Sequence, residues 1–151
     1  MMRVTTIAID PDMKKKIVAL IDTSIFNSFF EGDRFVDELF KPDQLDKVSY
    51  AVSPIVLQEL LLAGDPFASQ EQLQELFKSF EVIPVDLFSS QDMIAKVRNL
   101  RNRIAHGNNF LLLSSALKCD YLISYDNELS DLASQFEIAT LTPEAFIKEV
   151  L

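Results

Sequence analysis

Five apolar residues in unbroken succession, Ile17–Val18–Ala19–Leu20–Ile21, end abruptly at Asp22. A run without polar alternation suits a strand buried on both faces, the kind found in parallel sheets covered by helices. Tyr121–Leu122–Ile123–Ser124 reads as a second such strand, with Asp126 just beyond it. Val48–Val52, Glu81–Val85 and Ile138–Leu141 supply further strand-like segments.

Helical signals alternate with these runs. A helix opens over Ile25–Phe30, and a short one around Phe35–Phe40 is ended by Pro42. Ser53–Pro54 reads as an N-cap followed by proline at the first helical position, with the helix running to Gly64 and stopped by Asp65–Pro66. Ser69 and Gln72 have capping-box spacing before a helix carrying Leu73, Leu76, Phe77 and Phe80. Ser89 or Ser90 starts another helix to about Ile104, and Asn109–Lys118 reads as an apolar helix. Leu129–Ser134 predicts a short helical turn, and Thr142–Pro143–Glu144 the start of the last helix. This alternation predicts an α/β fold with a central parallel sheet covered on both faces.

The 151 residues match one domain, with residues 1–16 as an N-terminal leader. A single cysteine, Cys119, forms no internal disulfide. The N-terminus lacks the apolar core and cleavage site of a signal peptide. No apolar stretch reaches the ~18 residues of a membrane span. A cytoplasmic protein is the expectation. The net charge of −9 opposes tight non-specific grip on phosphates. Clustered acids that bind a cation also add negative charge, so a nuclease stays possible if a local basic patch exists.

Ligands of open α/β sheets bind outside the carboxyl ends of the strands. Asp22 and Asp126 both stand there, although each could equally cap a following helix or turn. Glu59 is, with Gln58, the only polar residue between Ile55 and Ala63. It is either part of an exposed stripe or a partly buried carboxylate, which needs a partner or a metal. Three converging acids repel one another unless a cation lies between them.

Four segments together resemble the PIN domain family. IVALIDTSIF is similar to its first strand and acid, and SPIVLQELL to its central helix with an acidic residue. NNFLLLSSALKCDYLISYDNEL resembles the stretch where a third acid opens a helix and a fourth follows the next strand. ATLTPEAFIKEV is similar to the closing strand and helix. The resemblance runs from Ile17 to the C-terminus and implies a three-layer α/β/α fold. It implies metal coordination by Asp22, Glu59 and Asp126, with Ser24 and Ser124 as supporting hydroxyls. PIN domains are typically Mg²⁺- or Mn²⁺-dependent ribonucleases, often the toxin of a toxin–antitoxin pair, so RNA and an antitoxin protein are the implied partners.

One position departs from the family. Counting back from Ser115–Ala116–Leu117, the third acid falls on Asn109. An asparagine oxygen ligates magnesium but is neutral and is no base at ordinary pH. The inferred site then holds three negative charges, enough for one divalent ion and less suited to two.

A basic patch is present in Lys96, Arg98, Arg101 and Arg103, with no acid between Met93 and His106. Met93, Val97, Leu100 and Ile104 give the segment an apolar face. It reads either as a phosphate guide towards Asn109 or as a helix whose cations snorkel over core edges. Lys14–Lys16 lead into the first strand, away from the site. His106 fits a turn better than a catalytic role. Phe26, Phe29 and Phe30 suit core packing or a homodimer contact better than base stacking. The leading expectation is a metal-dependent endoribonuclease. The alternatives are a PIN fold that binds RNA or protein without cleaving and, more remotely, a receiver-like domain phosphorylated on Asp22.

Overall fold

A computed structural model describes residues 15–63, 70–97 and 107–151. The apolar run at its start becomes strand β1 (Ile17–Ile21), whose Ala19, Leu20 and Ile21 are fully excluded from solvent. A strand so buried needs hydrogen-bonding neighbours along both edges. β2 (Val48–Val52) lies parallel on one side, with Leu20 opposite Ala51. On the other side Leu20 faces Leu122 of a second parallel strand, Tyr121–Ile123. Two short outer strands complete the sheet: β3 (Glu81–Val82) beside β2, and Thr140–Leu141 beside Tyr121–Ile123. Numbering these last two as β4 (Tyr121–Ile123) and β5 (Thr140–Leu141), the order is β3-β2-β1-β4-β5, parallel throughout.

Parallel neighbours require crossovers, and helices supply them. α1 (Thr23–Phe30), α2 (Arg34–Leu39) and α3 (Pro42–Leu45) connect β1 to β2. α4 (Pro54–Ala63) and α5 (Gln70–Phe77) lead to β3; α6 (Leu87–Lys96) and α7 (Gly107–Ala116) lead to β4. α8 (Asn127–Ser134) precedes β5, and α9 (Pro143–Glu149) follows it. The sheet flanked by helices is the expected three-layer α/β/α architecture.

Several boundaries differ from expectation, each for a local reason. The strand expected over Glu81–Val85 ends at Val82, two residues before Pro84, which has no N–H to continue a ladder. The final strand is Thr140–Leu141 rather than Ile138–Leu141. Helix α6 begins neither at Ser89 nor at Ser90, because the Asp86 carboxylate accepts the N–H groups of Phe88 (3.0 Å) and Ser89 (3.1 Å) and sets the start at Leu87. It ends at Lys96, where Val97 turns extended (φ −94°, ψ 108°), so Met93 and Val97 do not share one helical face. Leu100, Ile104, the three arginines and His106 lie outside the described residues. Helix α2 does end before Pro42, at Leu39, and Pro42 in addition opens α3 at its first turn.

Phe26, Phe29 and Phe30 pack in an aromatic block, Phe26 buried and the other two half-buried. Phe26 is fully buried and meets Phe40, Phe77 and Phe80 at ring-centroid separations of 6.4, 5.3 and 5.6 Å. Phe29 packs edge-on against Phe30 and Phe40, and Tyr50, also buried, donates its hydroxyl to Leu39 O at 2.7 Å. This aromatic block joins α1, α2 and the end of α5 to β2. It holds α1, and so the residues at its N-terminus, in a fixed place over the sheet.

Candidate metal centre

Asp22 follows the last residue of β1 and occupies the N-cap position of α1, yet its side chain caps nothing. Its Oδ2 instead accepts two hydroxyls, from Ser24 at 2.8 Å and Ser124 at 2.7 Å. Those hydroxyls are themselves fixed: Ser24 Oγ accepts the Tyr125 N–H at 3.0 Å, and Ser124 Oγ accepts the Asp126 N–H at 2.9 Å. The residue is only 7% exposed. With both donors on Oδ2, Oδ1 takes no hydrogen bond from the described residues and is left to an incoming ligand.

Glu59 is reached through the residue after Asp22. The Thr23 hydroxyl donates to Glu59 Oε2 at 2.9 Å, which ties the half-buried carboxylate on α4 to the first turn of α1. Between the two readings open to Glu59, the structure gives the partly buried one, while Gln58 beside it is exposed. Asp126 is exposed and does cap its helix: its Oδ1 accepts the Leu129 N–H at 3.1 Å. The capping alternative therefore describes Asp126 and fails for Asp22.

Each acid is thus held by its own tether. Among the described residues, no three Asp, Glu, His or Cys side chains stand close enough to form a cation cluster outright. The donor set still fits a hard divalent ion. Carboxylate oxygens suit Mg²⁺ and Mn²⁺, and Mg²⁺ takes one or two carboxylates while keeping several waters. Asp22, through Oδ1, could ligate such an ion directly, and Glu59 and Asp126 are the acids that could join it.

No family profile and no curated protein matches the sequence. Solved structures do match. A toxin–antitoxin complex from Klebsiella pneumoniae has a chain 19% identical with a TM-score of 0.56, covering 83% of this chain and 97% of that one. VapBC2 from Rickettsia felis, bound to a promoter DNA fragment, is similar at 15% identity and a TM-score of 0.59, over 83% of this chain and 98% of that one. FitAcB from Neisseria gonorrhoeae aligns at 16% identity and 0.57, again over 83% and 98%. The chain has the PIN-type fold.

In this PIN-type domain Asn109 lies in the first turn of α7, half-buried, and α7 packs on α4, the helix that carries Glu59. Further along α7, Ser114 Oγ accepts the Asp86 N–H at 2.9 Å and Ser115 Oγ reaches Ile83 O at 3.1 Å, which fixes the helix against the end of β3. Of the basic residues expected to guide phosphates, only Lys96 is described. It ion-pairs with Asp92 at 3.6 Å and lines a hollow with Leu117, Gln135, Phe136 and Glu137. Those four belong to the segments that lead into the N-terminal ends of β4 and β5, so Lys96 stands at the sheet edge opposite Asp22.

Three residues around the candidate centre went unread in the sequence. Thr23 carried a signal, standing directly between Asp22 and Ser24. Tyr125 also stands between two site residues, but nothing in the sequence joins it to Asp33, whose Oδ2 accepts its phenol at 2.8 Å. Partial burial first, and then that carboxylate, push the Tyr125 phenol above its usual pKa, so it remains a donor at ordinary pH.

Proposed function

We propose that the protein is a Mg²⁺- or Mn²⁺-dependent endoribonuclease of the PIN type and the toxin of a toxin–antitoxin pair. The observation that carries this reading is Asp22: a buried acid at a strand's C-terminal end, held by two hydroxyls through one oxygen, with the other taking no hydrogen bond from the described residues. When bound, a divalent cation supplies Lewis acidity towards a phosphoryl oxygen and activates water for in-line attack. The chain's part is to keep Asp22 oriented through Ser24 and Ser124, to hold Glu59 through Thr23, and to place Asp126 at the mouth. Asn109 orients water with its amide but takes no proton from it.

The toxin reading is supported by the kind of assembly in which the structural neighbours were solved. An antitoxin segment with apolar side chains would find complementary surface in a hollow of about 620 Å³ lined by Phe29, Phe30, Phe40, Leu76 and Phe80. Cleavage of a mixed RNA pool with and without Mn²⁺, by wild type and by Asp22→Asn, tests the nuclease. Manganese-dependent cleavage lost in the variant is the expected result, and equal cleavage by both overturns it. Asn109 and the net charge of −9 favour a second reading, a PIN fold that binds RNA or a protein without cleaving. Binding without cleavage in the same assay selects it.

A further inference from the structure

Beside the acids, one exposed aromatic residue is hydrogen-bonded at both ends. Tyr125 is 36% exposed, yet both ends of the residue are fixed. Its N–H donates to Ser24 Oγ at 3.0 Å, and its phenol donates to Asp33 Oδ2 at 2.8 Å. Asp33 is itself immobilised, because its Oδ1 caps α2 by accepting the N–H groups of Phe35 (2.9 Å) and Val36 (3.3 Å). The turn that brings Asp33 to this point depends on Gly32, whose φ of +84° lies in the left-handed region. Ser24, at the other end of the tyrosine, is the residue that holds Asp22. The ring is therefore tied rigidly to the candidate metal centre on one side and to a helix cap on the other.

The ground beyond Tyr125 is not basic. A hollow of about 420 Å³ beside Asp33 is lined by Glu31, Asp33 and a single cation, Arg34, with the exposed Phe35 at its edge. Phosphates gain little there. Base faces are the alternative handle, because every base has a π-face and stacking tolerates any sequence. A tyrosine whose ring is already ordered loses little conformational freedom when a base lands on it.

We propose that Tyr125 is a stacking platform for one base of a single-stranded RNA passing the Asp22 site. This rests on the nuclease reading above and adds to it one residue that would hold the strand through a base. The tether to Asp33 holds the ring in place and the ring face makes the contact. Removing the hydroxyl alone then leaves most of the binding, whereas removing the ring abolishes the contact.

The test uses oligoadenylate and, as a control, the same strand with abasic nucleotides. Asp22→Asn serves as the parent protein so that the probe survives. Tyr125→Leu is expected to weaken oligoadenylate binding about tenfold while leaving the abasic strand unaffected, and Tyr125→Phe to retain most of the affinity. Tyrosine emission gives a second readout, since the chain has no tryptophan and three tyrosines, of which Tyr50 is buried and Tyr121 packs on Phe146. Oligoadenylate should quench the parent more than Tyr125→Leu. Equal affinity of parent and Tyr125→Leu overturns the proposal. So does a loss in Tyr125→Phe as large as in Tyr125→Leu, which would make the residue a strut only. If neither wild type nor the parent binds any single-stranded RNA, the platform proposal falls, and the manganese-dependent cleavage assay above decides the nuclease reading separately.

Discussion

Ser124 donates its hydroxyl to Asp22 Oδ2 at 2.7 Å across 102 positions of sequence. The same oxygen of Ser124 accepts the Asp126 N–H, so one hydroxyl links the acid after β1 to the acid after β4. The first bond exists because β1 and β4 are parallel neighbours whose ends lie side by side, and the second is local, spanning two residues of one turn.

Ser124→Ala removes a donor from Asp22 and an acceptor from the Asp126 N–H. Partners that orient a metal ligand typically matter 10- to 100-fold for affinity or activity. We expect Mn²⁺ affinity, read by calorimetric titration, to fall at least tenfold, while stability falls by only about 1 kcal/mol. Unchanged affinity would show that Asp22 is positioned without Ser124.

Mn²⁺ should raise the melting temperature in a concentration-dependent way, because a ligand that binds only the native state stabilises it. The shift should vanish in the double variant Asp22→Asn, Asp126→Asn. Equal shifts in variant and wild type would place the cation elsewhere.

Asn109→Asp adds a fourth carboxylate. Ligand charge tunes cation affinity, and we expect Mn²⁺ to bind roughly tenfold more tightly. Without cation the added like charge opposes folding, so the metal-free protein should melt at a lower temperature. Cleavage should rise only with cation present. A variant with wild-type affinity and rate would place Asn109 outside the site.

Phe26→Ala opens a cavity among three rings at the base of α1. A loss of about 3–5 kcal/mol is expected from urea unfolding. A loss below about 1 kcal/mol would mean the aromatic block repacks around the gap.

Burial first, and then the charges of Asp120 and Glu81, push the Cys119 thiol up to about 11. The thiolate is the reactive form, so at pH 8 only about one molecule in a thousand is ready to react. Iodoacetamide should label native Cys119 far more slowly than glutathione, with the rate climbing about tenfold per pH unit below the pKa. Labelling as fast as glutathione at pH 8 would contradict that environment.

The sequence by itself pointed to the parallel sheet, because runs such as Ile17–Ile21 and Tyr121–Ile123 are unbroken and apolar, which suits a strand covered on both faces, and helical segments alternate with them. It also determined that Asp22 and Asp126 follow such strands, and that Glu59 interrupts an apolar helix. Helix ends were legible where a cap stands next to a proline, as at Thr142–Pro143, and illegible at α6, where Asp86 outcompeted the serines that follow it. Only the tertiary structure decided that Asp126 caps its helix while Asp22 does not. The two occupy equivalent positions, and the difference lies in Ser124 arriving from a neighbouring strand. It also decided that Lys96 faces the far edge of the sheet, and that Tyr125 meets Asp33. Periodicity and capping are local and can be read along the chain. Which hydroxyl meets which carboxylate depends on strand order and on where each helix ends, and these are fixed only when distant segments pack.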